Sequence, residues 1–324
     1  MKRLLGVALV AAAFGLAAQP LAAETYPSRT VTIVVPFPAG GSVDGVARII
    51  AQRLNQVPGF NAIVENRGQG AGGTIGANTV AKAAPDGYTL MVTASVNAIN
   101  PLLLKNLPYD FVKDFTPISL LAVGPLLVST NPNVPANNLK EFFDLVRKDP
   151  QKYTFGHTSP GSASHLAAEL LKREAKLDTL IIPYKGTAPA LTDLMGGSIQ
   201  LLADPMLSSL PLAQAGKIKA LAITSLKRMA AAPDIPTVEE SSGIKGFDFV
   251  SWYGIWGPKG LPADITERLQ AEVTKIIKEP DIQKRLLTIG FEPVGSTSAE
   301  FSKYIVSEMA KYEQIIKSAN IRVE

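Results

Sequence analysis

A strand that runs directly into a small-residue loop and then into a helix is the feature that most constrains this chain. The β-branched run Val31–Val35 precedes residues 36–41, which contain two prolines and two glycines. From Val43 onward, apolar residues recur with the 3.6-residue spacing of an amphipathic helix. This pattern places Ser42 at the N-cap and Asp44 in the first helical turn.

The loop between that strand and helix predicts an anion site. Gly40 and Gly41 lack Cβ atoms, so a ligand can approach the backbone closely. The first N–H groups of the helix have no partner within it and lie at its positive end. No Lys follows the glycines, which excludes a nucleotide-binding P-loop. We therefore expect a small anion, a carboxylate, although a tight packing turn would show the same glycines.

The N-terminus has the pattern of a secretory signal peptide. Lys2 and Arg3 precede an apolar run at 4–18, and Ala22 and Ala23 supply small residues for cleavage. The run is too short to span a bilayer comfortably. The sequence therefore predicts a signal peptide over residues 1–23. Since the chain contains no Cys, no lipid can be attached at the cleavage point.

The remaining 301 residues correspond in length to about two domains. Two of the 32 basic residues lie in the predicted signal peptide, and none of the 28 acidic ones does, so the mature formal charge is +2. This charge, without a basic run and interleaved aromatic residues, argues against a nucleic acid partner.

Strand-like and helix-like segments alternate, which predicts an α/β fold with parallel sheets covered on both faces. The predicted strands are 31–35, 62–65, 88–94, 153–155, 179–183, 199–203, 218–224 and 247–256; the predicted helices are 43–56, 74–83, 139–148, 164–174, 189–195, 263–278 and 299–318. The apolar stretch 117–130 is interrupted by Gly124 and Pro125 and is suited to carry the chain between lobes. We expect lobe 1 at 24–125 plus 226–324 and lobe 2 at 126–225, with the ligand in the cleft between them.

Eight short motifs, in order along the mature chain, resemble those of the substrate-binding proteins of tripartite tricarboxylate transporters, also called Bug receptors. They are residues 36–44, 65–67 running into 70–76, 85–90, 161–166, 183–186, 215–217, 233–237 and 252–254. The chain departs from the family pattern at Gly68 and Gln69, where Pro-Gly is common, and at Pro160.

The resemblance implies a two-lobed periplasmic binding protein of the Venus-flytrap type, type II-like, that is not an enzyme and carries no cofactor or metal. Such a receptor is a periplasmic, monomeric protein that delivers a small organic acid to the permease subunits of a membrane transporter, or in some cases to a signalling partner. The first loop and residues 161–165 are expected to hold one ligand carboxylate from opposite lobes, partly through water.

The candidate ligand-binding residues combine the motifs with positions at the predicted strand ends. They are Phe37, Pro38, Ala39, Gly40, Gly41, Asp44, Ser95, Asn97, Thr158, Gly161, Ser162, Ser164, His165 and Asp204. His165 is equally consistent with a core or capping role, and Asp204 with a helix cap or a turn before Pro205. An ionised Asp204 would favour an amino or hydroxy acid and disfavour a second carboxylate. Trp252 and Trp256 are expected in the core.

Two enzyme classes are alternatives to a receptor. Gly68, Gly70 and Gly73 match a dinucleotide fingerprint, but the next strand lacks the acidic end that holds a ribose, so a packing turn is favoured. An exported α/β hydrolase acting on a small carboxylic ester is the main alternative, and the absence of a G-x-S-x-G elbow argues against it. His165 and Glu169 share a helix face but are too few for a closed zinc site.

Overall fold

The computed structural model of the protein describes residues 26–319 and residue 321. The predicted signal peptide lies outside the described residues. Within them, no helix combines the length and apolar character that crossing a membrane requires.

Strands and helices alternate along the described chain. The strands are β1 Val31–Val35, β2 Ala62–Asn66, β3 Thr89–Ala94, β4 Phe115–Thr130, β5 Phe155–His157, β6 Ile181–Pro183, β7 Leu201–Pro205, β8 Lys219–Ile223, β9 Val250–Pro258 and β10 Glu292–Pro293. The helices are α1 Ser42–Leu54, α2 Thr74–Ala81, α3 Val96–Leu103, α4 Leu139–Lys148, α5 Ala163–Glu174, α6 Thr187–Gly196, α7 Met206–Gln214, α8 Val238–Ser242, α9 Ala263–Ile277, α10 Pro280–Thr288 and α11 Ser298–Ala319.

The sheet has two halves that repeat one strand order. In the first half, β1 lies between β2 and β3, and all three are parallel. In the second half, β5 lies between β6 and β7, again in parallel. Strands β1, β3 and β7 are almost wholly buried because helices cover both faces, which agrees with their largely apolar sequences.

The long strand β4 joins the two halves. Up to Pro125 it pairs antiparallel with β9, and from Leu126 onward it pairs antiparallel with β7 and β8. Strand β9 in turn pairs with β3, which connects β4 to the first parallel set. Residues 117–130, which the sequence predicts to carry the chain between the lobes, are thus part of a single strand. Its pairing partners change between Pro125 and Leu126. The lobe boundaries themselves stay a prediction.

Aromatic residues fill the core where β9 meets the C-terminal helix. Trp252 and Trp256 are fully buried, which confirms the expectation for both, and each packs against Phe301 of α11. The indole Nε1 of Trp252 donates a hydrogen bond of 2.8 Å to the Tyr312 hydroxyl. Helix α11 also packs on α3 and α5, one from each half of the chain.

Four helices were missed by the sequence analysis: α3, α7, α8 and α10. Helices α3 and α7 carry Pro101 and Pro211 in their interiors, which weakens a helical pattern. The predicted N-cap of α1 was also wrong. Gly41 is the cap residue, and the Ser42 hydroxyl accepts a 3.1 Å hydrogen bond from the hydroxyl of Tyr253.

The close packing of β9 against α11 gives a test of the core. A Cβ atom at Gly254 would lie 2.6 Å from Cε1 of Phe301 and 2.9 Å from the ring of Trp256. Because both rings are buried and cannot yield freely, we expect Gly254→Ala to lower the free energy of unfolding by about 1–3 kcal/mol in urea titrations.

The matched control for that substitution is Gly196→Ala. Gly196 is the exposed last residue of α6, with nothing within 4 Å of an added Cβ atom. Alanine there should leave stability unchanged or raise it by up to ~1 kcal/mol. Equal stabilities for both variants would contradict the packing described for Gly254.

Candidate functional site

A cavity of about 940 Å³ lies between the two parallel strand sets and is lined by residues from both halves of the chain. Its wall consists of residues 36–43, glycines 68, 70, 72 and 73, residues 94–96, 158–160, 162–164, 184–189 and 191, together with Pro205, Leu207, Ser208, Ser251 and Tyr253. The volume lies in the range of small-molecule sites. The cavity occupies the carboxyl ends of the parallel strands, where ligands bind in open α/β folds.

Five helices begin at the wall of this cavity. Each follows one of the parallel strands directly, so the initial residues of α1, α3, α5, α6 and α7 all contribute to the lining. The first N–H groups of a helix lack intrahelical partners and carry a partial positive charge. Five such ends around one space produce a positive potential that favours an anion.

Internal hydrogen bonds fix the first loop. The Asp44 carboxylate accepts bonds from the N–H of Gly40 at 3.0 Å, from Arg48 Nε at 2.9 Å and from Asn66 Nδ2 at 2.9 Å. Asn66 Nδ2 also donates to the carbonyl of Phe37 at 3.1 Å. Burial tends to raise the pKa of Asp44, but these hydrogen bonds outweigh it and hold the pKa below its ordinary value. Asp44 therefore braces the loop and is not part of the cavity wall.

The glycine-rich turn after β2 packs against the first loop. A Cβ atom at Gly68 would lie 2.5 Å from the backbone nitrogen of Pro38, and one at Gly73 would lie 2.6 Å from the carbonyl oxygen of Pro36. Glycine is thus required for close approach of two backbones, which agrees with the packing-turn interpretation.

The second loop, between β5 and α5, is also held by its own polar groups. The Ser162 hydroxyl caps α5 by accepting from the N–H of His165, and the Ser164 hydroxyl accepts from the N–H of Thr158 at 3.3 Å. The N–H of Gly161 donates to His165 Nδ1 at 3.2 Å. His165 therefore stabilises the conformation of the second loop without being part of the cavity wall.

His157 and His165 stack with ring centroids 4.2 Å apart. Burial lowers the pKa of His157 to about 3, with a contribution from the neighbouring His165, and burial alone lowers that of His165 to about 4. Both rings are therefore neutral at pH 7. Glu169 lies 3.8 Å from Nε2 of His165, and burial raises its pKa.

A contact between the two halves lies beside these loops. Asn100 of α3 donates from Nδ2 to the carbonyl of Gly72 at 2.9 Å, and its buried Oδ1 has no hydrogen-bond partner. An added Cβ atom at Gly161 would lie 3.2 Å from that oxygen. The second loop thus touches the first half of the chain through a glycine.

Several buried polar groups at or behind the cavity wall lack a hydrogen-bond partner. Ser95 and Ser208 belong to the cavity wall, and their buried hydroxyls have no hydrogen-bond partner. Asp204, at the end of β7, is 1% exposed; its Oδ1 accepts from the Thr187 hydroxyl at 3.0 Å and its Oδ2 has no partner. Burial raises the pKa of Asp204 to about 8, only partly offset by the Thr187 hydrogen bond. The group is therefore mostly a neutral carboxylic acid at pH 7, where the sequence analysis considered an ionised one.

The structure brings most of the candidate residues to the cavity wall and places the others behind it. The wall includes Phe37, Pro38, Ala39, Gly40, Gly41, Ser95, Thr158, Ser162 and Ser164. The wall does not include Asp44, Asn97, Gly161, His165 and Asp204. Asn97 is fully buried and joins Thr93 to the Tyr109 hydroxyl, which is a structural arrangement.

Sequence analysis missed the loop between β6 and α6. Lys185, Gly186 and Thr187 line the cavity at the start of α6. The signal was present, because residues 183–186 belong to a motif that follows a predicted strand. The hydroxyls of Ser42, Ser208 and Tyr253 were missed as well, since α7 was not predicted and Tyr253 lies within a strand.

The described residues contain no group of three or more His, Asp or Glu side chains that could hold a metal ion. Among the described residues of the wall, the polar side chains are hydroxyls and one Lys, and the rest of the wall is apolar side chains and backbone.

Comparison with known proteins identifies the family. The sequence model of the tripartite tricarboxylate transporter family receptor, TctC, matches residues 46–321. The structure of the periplasmic binding protein BugD is 36% identical, with a TM-score of 0.86, and the match covers 92% of this chain and all of BugD.

Two similar structures contain ligands. Rpa4515 of Rhodopseudomonas palustris with adipate is 34% identical, with a TM-score of 0.89 and coverage of 92% of this chain and 99% of that one. MatC (Rpa3494) of the same species with bound malate is also 34% identical, with a TM-score of 0.83 and coverage of 90% and 100%.

These matches confirm the predicted two-lobed α/β fold of periplasmic binding proteins. They also exclude the hydrolase alternative, because members of the family are receptors and not enzymes. The chain belongs to the tripartite tricarboxylate transporter receptor family, the Bug receptors, whose members are periplasmic substrate-binding proteins.

Proposed function

We propose that this receptor captures a small organic carboxylate in its cleft and delivers it to the membrane permease subunits of a tripartite tricarboxylate-type transporter. The convergence of five helix N-termini on one cavity is the observation that carries the proposal. No Asp or Glu side chain occurs among the described residues of the wall, so nothing there opposes a bound anion.

The first loop is suited to hold a carboxylate through its backbone. Gly41 caps α1 without a side-chain hydrogen bond, which leaves the first N–H groups of the helix available at the cavity. The bracing of Gly40 by Asp44 means that these donors are already in position before a ligand arrives. Preorganised donors bind an anion with little loss of conformational entropy.

The second loop faces the same cavity from the other half of the chain. Its hydroxyls at Thr158, Ser162 and Ser164 line the wall and can donate to the same carboxylate, directly or through water. A ligand held by both loops favours the closed arrangement by its difference in affinity for the open and closed states. Closure would change the surface that the receptor presents, so the permease could distinguish the loaded receptor from the empty one.

The ligands of related structures support a carboxylate. Rpa4515 was solved with adipate and MatC with malate, and both cover nearly the whole chain at 34% identity. The predicted signal peptide at residues 1–23 supports a periplasmic location for this chain, as in its family. We also propose that the protein acts as a monomer, with lobe 1 at 24–125 plus 226–324 and lobe 2 at 126–225.

Substitution of Gly41 tests the first loop. A Cβ atom at Gly41 would meet nothing closer than the Pro38 carbonyl oxygen at 3.9 Å, and its φ of −82° suits valine, so Gly41→Val should fold. The added methyl groups would occupy the approach to the helix N-terminus. A carboxylate at 100 times its Kd should stabilise the wild type by ~2.7 kcal/mol and leave Gly41→Val unchanged in thermal melts.

The probes for that experiment are adipate, malate and succinate, and Gly196→Val, at the exposed end of α6, is the matched control. The control should respond to a carboxylate as the wild type does. Binding by Gly41→Val at wild-type affinity would show that the carboxylate lies elsewhere.

Lobe closure has a separate observable. Because both loops are expected to hold one ligand, a saturating carboxylate should reduce the radius of gyration measured by small-angle X-ray scattering. The same ligand added to Gly41→Val should cause no change. An unchanged radius for the saturated wild type would rule against a grip from both lobes.

The buried Asp204 predicts a pH dependence of stability. The pKa of Asp204 is about 8 in the folded state and about 3.8, the ordinary value, in the unfolded state. At a pH between these two values, the folded protein keeps a proton that the unfolded chain has lost. Stability from this group is complete below pH 4 and falls as the pH rises toward 8. Asp204→Asn retains an acceptor for Thr187 but cannot titrate.

We therefore expect the wild type to lose stability relative to Asp204→Asn by about 1.4 kcal/mol per pH unit between pH 5 and pH 7. Urea titrations without ligand at several pH values measure this difference, and the contributions of other groups cancel. Parallel pH profiles for the two proteins would mean that Asp204 ionises normally in the folded state.

A further inference from the structure

One cationic side chain stands in the wall of the cavity. Among the described residues that line it, Lys185 is the only Lys, Arg, His, Asp or Glu. Its ammonium group has no hydrogen bond or ion pair with any described residue. Lys185 is exposed to solvent, and its ammonium group, which has no protein partner, is available to a ligand.

The backbone on both sides of Lys185 is fixed to the second loop. The N–H of Tyr184 donates to the carbonyl of His157 at 3.0 Å, and the N–H of Gly186 donates to the carbonyl of Thr158 at 2.6 Å. Gly186 has a φ of +127°, a conformation that side-chain-bearing residues rarely adopt. The base of Lys185 is therefore held in position, and its long side chain is left free.

No described carboxyl group forms an ion pair with Lys185, and Asp193 and Asp204 of its own half have other partners. Asp193 accepts a 2.7 Å hydrogen bond from the Tyr184 hydroxyl. Asp204 is buried beneath Thr187, where burial raises its pKa to about 8 and keeps it mostly uncharged at pH 7. An uncharged Asp204 neither cancels the lysine charge nor repels a second carboxylate.

Lys185 and the first loop lie on different elements of the cavity wall. The first loop connects β1 to α1 in one parallel strand set. Lys185 lies in the loop that connects β6 to α6 in the other set. A ligand whose first carboxylate is held at the N-terminus of α1 extends across the cavity toward the opposite half. An anionic group at its far end would meet the one cation in the wall.

We propose that Lys185 binds the second carboxylate of a dicarboxylate ligand and makes the receptor select dicarboxylates over monocarboxylates of equal length. This inference rests on the proposed function, because it needs the first carboxylate to be held by the first loop. Because the first loop contacts only one end of the ligand, it cannot distinguish a dicarboxylate from a monocarboxylate. The proposal assigns that selectivity to Lys185.

The experiment measures calorimetric affinities for two matched series at pH 7. One series contains succinate, glutarate, adipate and pimelate; the other contains butanoate, pentanoate, hexanoate and heptanoate. The wild type should bind its best dicarboxylate at least tenfold more tightly than the monocarboxylate of equal length. Lys185→Met should lose at least tenfold for that dicarboxylate and less than twofold for the monocarboxylate.

Two further variants separate the charge from other effects. Lys185→Arg keeps the charge and should retain the preference, whereas Lys217→Met removes an exposed Lys outside the cavity wall and should behave as the wild type. Added salt should weaken dicarboxylate binding more in the wild type than in Lys185→Met. Melting temperatures without ligand verify that each variant is folded.

Several outcomes would overturn the proposal. Equal losses for both series in Lys185→Met would show a general effect on the cleft, and unchanged dicarboxylate affinity would show that Lys185 is only a solvated surface residue. Equal binding of both series by the wild type would leave the proposed carboxylate function intact and refute the selectivity. Failure of the wild type to bind either series would refute both.

Discussion

The pairing of parallel strands in two sets is the constraint on which the site depends. Parallel strands place their carboxyl ends at one edge, and each strand here is followed at once by a helix or a short loop. The N-termini of α1, α3, α5, α6 and α7 must therefore gather at the same place. Strand β4 joins the two sets and exchanges partners at its middle, so the two edges face a common cavity.

The charge of each ionisable group around the cavity depends on the balance between its burial and its hydrogen bonds. Asp44 is buried but accepts three hydrogen bonds, and they keep it ionised. Asp204 is more completely buried and accepts one hydrogen bond, from Thr187, and it remains largely protonated at pH 7. His157 and His165 are neutral for the same reason. The groups around the cavity are therefore the positive ends of helix dipoles, hydroxyls and one ammonium group, and together they favour a bound anion.

The sequence places the first loop correctly at the cavity wall, because that position depends only on the order of elements along the chain. The glycines at 40 and 41 follow a strand and precede a helix, so their position at a strand end is determined locally. The same reasoning failed for Asn97 and Asp44, because a polar residue near a strand end can face the cavity or the protein. Asn97 also bonds to Tyr109, and Asp44 also bonds to Asn66, partners on other elements that local pattern does not reveal.

The sequence by itself determined the alternation of strands and helices, the first loop, and a set of motifs that identifies the family, because these depend on local periodicity and on the residues that turns require. Only the tertiary structure decided that Ser42 meets Tyr253, that Asp204 is enclosed and protonated, and that Lys185 stands alone in the wall. Such properties depend on groups distant in the chain. Hydrogen bonding and desolvation act over a few ångströms in space, and the distance between two residues in space is set by the packing of the whole fold.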